Sequence, residues 1–170
     1  MFRKVMAVAA VMAAAVLAVP SANAAPTGNA GVLAENAHVS NRHSDKCLVA
    51  QNRGENSPAF QYDCVRDFAD QRWDFQDIRN GWYQIMNEHS NKCLTVHTNG
   101  NEAQVVTYTC HVWDKQQWRS EMVSDHEFLL RHKSSMKCLV VRGFENGNRA
   151  VLHTCDKRFD DQIWSAGYMP

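Results

Sequence analysis

Apolar and polar positions alternate along this chain in short bursts that come back three times. Ala37 and Val39, Tyr83 and Ile85, and Phe128 and Leu130 hold the same two alternate apolar positions, with a polar residue between them in the first two, the mark of a half-buried strand. A short β-prone segment follows each step: Cys47-Leu48-Val49-Ala50, Cys93-Leu94-Thr95-Val96 and Cys138-Leu139-Val140-Val141. Polar bends come next, at Asn52 to Ser57, Asn99-Gly100-Asn101 and Asn146-Gly147-Asn148, the Asn-Gly pairs being strong turn formers. A third strand runs into a second cysteine at Cys64, Cys110 or Cys155, and a fourth carries Trp73, Trp118 or Trp164. The pattern predicts four strands per unit, twelve in all, with hardly a helical stretch. The chain reads as all-β.

The returning unit is a sequence repeat. Gln71-Arg72-Trp73, Gln116-Gln117-Trp118 and Gln162-Ile163-Trp164 share a Gln-x-Trp signature, with tryptophans 45 and 46 residues apart. Cys47, Cys93 and Cys138 each stand in Lys-Cys-Leu, and each is followed 17 residues later by another cysteine. Two residue types keeping one period define an internal threefold repeat, which fixes architecture before any single motif does. The copies fall at about 36–80, 81–125 and 126–170. No Pro-, Gly- or Ser-rich linker separates them, so they are expected to be parts of one domain. Residues 25–35 have little to bury and read as a flexible lead-in.

Composition adds a compartment and removes several functions. Arg3 and Lys4, the apolar run Val5 to Val19 and the small-residue site Ala22-Asn23-Ala24 make residues 1–24 a secretory signal peptide. Beyond it no second apolar segment approaches membrane-spanning length. With Arg3 and Lys4 set aside, 16 Lys and Arg stand against 18 Asp and Glu, without the basic stripe that tracks a phosphate backbone. Nucleic acid is therefore not an expected partner. Six cysteines in an exported chain read as three disulfides, and a threefold chain should repeat its bridge: Cys47–Cys64, Cys93–Cys110 and Cys138–Cys155. Eight histidines are scattered without a His-Glu-x-x-His motif, and no Cys-x-x-Cys occurs, so neither metal nor cofactor is expected. Gly-x-Ser-x-Gly is also absent, and the cysteines are claimed by bridges, so the chain is not expected to be an enzyme.

Three copies of about 45 residues with Lys-Cys-Leu, a second cysteine and a closing Gln-x-Trp resemble the ricin B-type lectin family over nearly the whole chain beyond residue 35. The resemblance implies a β-trefoil: three four-strand copies around a pseudo-threefold axis, a six-stranded barrel capped by three hairpins. Each Trp is then best read as barrel core, and each Gln as a partner for the backbone of its turn. The resemblance also implies where sugar would bind. An aspartate two residues after the first cysteine would take hydroxyls, an aromatic two before the second cysteine would stack on the ring, and a polar residue before Gln-x-Trp would assist. Here the aspartate positions are Val49, Thr95 and Val140. The stacking positions hold Tyr62, Tyr108 and His153, and the assisting positions hold Asp70, Lys115 and Asp161. The candidate carbohydrate residues are thus Tyr62 with Asp70, His153 with Asp161, and Tyr108.

The expected function is secreted, non-catalytic, lectin-like binding of glycans or polysaccharides, weak because the usual aspartates are gone. The alternative is a β-trefoil protein-interaction scaffold, a toxin accessory or inhibitor that has lost sugar binding and takes a protein partner. Another aromatic recurs five residues before each core tryptophan, at Phe68, Trp113 and Phe159, with acids close by. It is either an exposed platform or a plug in the barrel's flank; buried aromatics outnumber exposed functional ones, so a plug is expected.

Overall fold

A computed structural model of the chain describes residues 34–169. The signal peptide and all but the last two residues of the lead-in lie outside the described residues. Thirteen strands follow in order: β1 (Ala37–Asn41), β2 (Cys47–Val49), β3 (Ser57–Pro58), β4 (Phe60–Tyr62), β5 (Arg72–Asp77), β6 (Tyr83–Asn87), β7 (Lys92–Val96), β8 (Val105–Tyr108), β9 (Trp118–Met122), β10 (Glu127–His132), β11 (Cys138–Val141), β12 (Ala150–His153) and β13 (Ile163–Gly167). The extra strand lies in the first copy, where β3 pairs with β8 and β4 with β2. Pro58 has no N–H to carry one ladder through both pairings.

Six strands close on themselves. β1 pairs with β5, β5 with β6, β6 with β9, β9 with β10, β10 with β13, and β13 with β1, all antiparallel. Closure leaves no free edge, the usual hazard of an all-β chain. Six of the remaining strands form three hairpins, β2–β4, β7–β8 and β11–β12, each in the copy that supplies it, and β3 adds to the edge of β8. The fold is a β-trefoil.

The hairpins lock in a ring. Asn56 N–H donates to Thr107 O at 2.9 Å, Glu102 N–H to Leu152 O at 2.8 Å, and Gly147 N–H to Gln61 O at 2.8 Å. These donors hold one position in the three copies, and their φ angles are 59°, 63° and 88°. Two of them are non-glycine residues in the left-handed region, held there by the bond to the next copy. Inside the barrel Trp73, Trp118 and Trp164 are fully buried with Leu48, Leu94 and Leu139. Three disulfides, Cys47–Cys64, Cys93–Cys110 and Cys138–Cys155, tie each hairpin across its base.

Candidate functional site

Each candidate site is built on a Gln-x-Trp corner. A single 3-10 turn, Ala69–Gln71, Asp114–Gln116 or Asp160–Gln162, ends in the glutamine. The Gln71 amide accepts from Val65 N–H at 2.8 Å and donates to Asp63 O at 2.9 Å. Gln116 does the same with His111 N–H and Thr109 O, at 2.6 and 2.9 Å. Gln162 takes Asp156 N–H and Thr154 O, at 3.0 and 3.1 Å. One buried amide thus satisfies the backbone on both sides of each second cysteine, where no ladder reaches. The indole N–H of each core tryptophan donates to the leucine carbonyl of Lys-Cys-Leu, Trp73 to Leu48 and Trp118 to Leu94 at 2.9 Å, and Trp164 to Leu139 at 3.0 Å. These bonds pin the loop and fix what stands on it.

The usual aspartate positions are paved over. Val49, Thr95 and Val140 are 2, 0 and 0 % exposed. The Thr95 hydroxyl turns inward, donating to Cys93 O at 2.8 Å and accepting from Gln116 Nε2 at 2.9 Å. The stacking positions remain open: Tyr62 is 42 % exposed, and Tyr108 and His153 are half-buried. Asp70 and Asp161 each bury one carboxylate oxygen with no hydrogen-bond partner. Burial pushes the Asp161 carboxyl above the usual range, opposed by the positive charges of Arg142, His43 and His153. The third copy therefore brings Asp161 within electrostatic reach of His153. In the first copy Asp70 lines a shallow cleft of about 290 Å3 with Asp67, Phe68, Ala69 and, from the second copy, His89. Tyr62 is not among the residues of that cleft.

Phe68, Trp113 and Phe159 are not plugs. They are 50, 49 and 55 % exposed, each at the entry to its 3-10 turn. The expectation of burial fails because the barrel is already filled by the tryptophans and leucines, and the loop lies outside it. In the second copy Trp113 belongs to a cluster that motif spacing missed. Its ring stacks on His111 at 4.1 Å, with Tyr108 at 6.3 Å from His111 and 6.4 Å from Trp113. His97 meets Tyr108 edge-on at 5.5 Å. In the third copy Phe144 lies 4.1 Å from the first copy's His43. No group of three or more His, Cys, Asp or Glu able to hold a metal is found among the described residues.

The arrangement offers exposed rings on which an apolar face can stack, with a carboxylate within electrostatic reach of the ring in the third copy. The model of the ricin-type beta-trefoil lectin domain matches residues 35–166. No curated protein matches the chain closely enough to count as a relative. Among solved structures, the designed threefold-symmetric protein ThreeFoil superposes with a TM-score of 0.74 at 26% identity, covering 78% of this chain and 98% of its own. The hemolytic lectin CEL-III matches at 27% identity and a TM-score of 0.64, covering 79% of this chain and 30% of its own. A Polyporus squamosus lectin bound to the epitope Neu5Aca2-6Galb1-4GlcNAc is 12% identical with a TM-score of 0.65, covering 78% of this chain and 48% of its own. The chain thus spans nearly all of the designed protein but half or less of either lectin.

Proposed function

Since the chain belongs to the ricin-type β-trefoil lectin domain family, we propose that it is a secreted, non-catalytic protein that binds glycans or polysaccharides weakly through its repeat sites. One observation carries this reading: a partly exposed ring stands beside each Gln-x-Trp corner, at Tyr62, Tyr108 and His153. A pyranose presents an apolar C–H face to such a ring and hydroxyls to a nearby acid. Asp161 supplies that acid within electrostatic reach of His153 in the third copy, and Asp70 holds the equivalent turn position in the first. Binding is weak because the usual aspartate positions hold the buried Val49, Thr95 and Val140. The lectin domain is assigned to residues 36–170, behind a signal peptide at 1–24. Three disulfides fit export into an oxidising compartment.

A glycan and polysaccharide screen tests the reading, with the double variant Tyr62→Ala/Asp70→Ala as control. Binding that weakens in the control supports a lectin whose carboxylate has shifted to the Gln-x-Trp turn. A second reading, a scaffold for a protein partner, is favoured by the buried Val49, Thr95 and Val140. Failure to bind any glycan would select it.

A further inference from the structure

The loop from the second cysteine to the core tryptophan is one residue shorter in the middle copy. It runs from Cys110 to Trp118, against Cys64 to Trp73 and Cys155 to Trp164. The shorter loop holds Trp113 and His111 against Tyr108, and His97 closes the group from the preceding hairpin strand's end. Neither Tyr62 nor His153 has a ring partner of this kind among the described residues. The middle copy therefore carries a continuous aromatic wall, and Trp113 and His97 leave it open to solvent.

Charge separates the same copy from its neighbours. Where the others have Asp70 and Asp161, it has Lys115, exposed and in no ion pair among the described residues. The acids nearby in the chain or on the facing turn are taken. Asp114 pairs with Lys133 at 2.9 Å, and Glu55 pairs with Lys92 at 2.6 Å and accepts from the Thr109 N–H at 3.0 Å. Lys115 stands two residues beyond Trp113, and its neighbour Gln116 bonds the backbone of His111 and Thr109, which flank Cys110. An exposed ammonium outside any ion pair among the described residues thus stands two residues along the chain from Trp113 of the wall.

We propose that the middle copy binds a carboxylate-bearing sugar, a uronic or sialic acid residue, with its C–H face on the Tyr108–Trp113 wall and its carboxylate on Lys115. The proposal rests on the carbohydrate-binding reading above and names the ligand class of one site within it. Charge-assisted bonds are the stronger kind, and Asp70 and Asp161 repel the same ligand from the other two copies. Selection is then written by a single residue type at one repeat position.

The test is calorimetric titration of the disulfide-bonded protein with oligogalacturonate and with sialyllactose, against their neutral counterparts galacto-oligosaccharide and lactose. The expected result is that at least one acidic sugar binds about tenfold or more tighter than its neutral counterpart. That preference should shrink at high salt, vanish in Lys115→Gln and persist in Lys115→Arg. The two acids tell which source of carboxylate the site takes. Neutral sugars bound as tightly as acidic ones, or a preference unchanged in Lys115→Gln, would overturn the proposal and leave the lectin reading standing. No binding to any of the four, alongside an empty glycan screen, would overturn both. Melting curves of each variant separate lost contact from lost fold.

Discussion

At the scale of single residues, His132 shows how a repeat tolerates one exception. Asn41 donates to Asp161 O at 3.0 Å and Asn87 to Asp70 O at 2.9 Å, each clamping the Gln-x-Trp turn of the preceding copy in the ring. The third copy does this with His132, whose Nε2–H donates to Lys115 O at 3.1 Å while its Nδ1 accepts from the Ser135 hydroxyl at 2.9 Å. Burial against Trp118 pushes its pKa down from 6.5 to about 4. An imidazole that stays neutral when folded binds its proton more readily when unfolded. It therefore costs the fold nothing above pH 6.5, and stability falls as pH drops from 6.5 towards 4, by up to about 3 kcal/mol. Urea unfolding across that range should show the loss, and His132→Asn, restoring the residue of the other two copies, should flatten it. An unchanged slope would mean that other groups dominate the window. Below pH 4, Glu55 and Asp156, both held near pKa 2 by Lys92 and Arg158, add their own losses. The core tryptophans are the second test at this scale: Trp73→Ala should cost about 3–5 kcal/mol in the same assay. Their burial was legible from recurrence alone, as was the backbone role of their glutamines. The exposure of Phe68, Trp113 and Phe159 was not, because an aromatic's period says nothing of which side of a filled barrel its loop occupies.

At the scale of elements, alternation and Asn-Gly turns located the strands, and the even cysteine spacing paired the bridges. What the pattern missed was one strand break and a set of long-range bonds. Pro58 divides one strand into β3 and β4, and the bends after β2, β7 and β11 bond to neighbouring copies rather than within their own hairpins. Such partners lie about 50 to 90 residues apart in the chain, beyond the reach of any local signal. Each disulfide closes a loop of the same length, 17 residues, at an equivalent place. Chain entropy then predicts near-equal losses of about 3 kcal/mol for Cys47→Ala/Cys64→Ala and its two counterparts, by denaturant titration. A much smaller loss in one copy would show that its hairpin is held by something other than the bridge.

At the scale of the molecule, the period of 45 made the threefold closure readable, and the family match over residues 35–166 bears out the trefoil. The candidate sites were readable only in part. Tyr62, Tyr108, His153, Asp70 and Asp161 are single positions in the chain, but their surroundings are assembled between copies. His89 of the second copy borders Asp70 of the first, and His43 of the first copy lies within electrostatic reach of Asp161 of the third. Symmetric backbone with unlike side chains is the outcome: an acid at the turn position of two candidate sites, and a lysine with an aromatic cluster at the third. Whether this scaffold binds carbohydrate at the Gln-x-Trp corners is decided by amide NMR titration with the tightest glycan from the screen. Saturable shifts should concentrate at Tyr62, Tyr108 or His153 and the adjoining Gln-x-Trp turns. Shifts confined to other faces of the barrel, or none at saturating glycan, would contradict binding there.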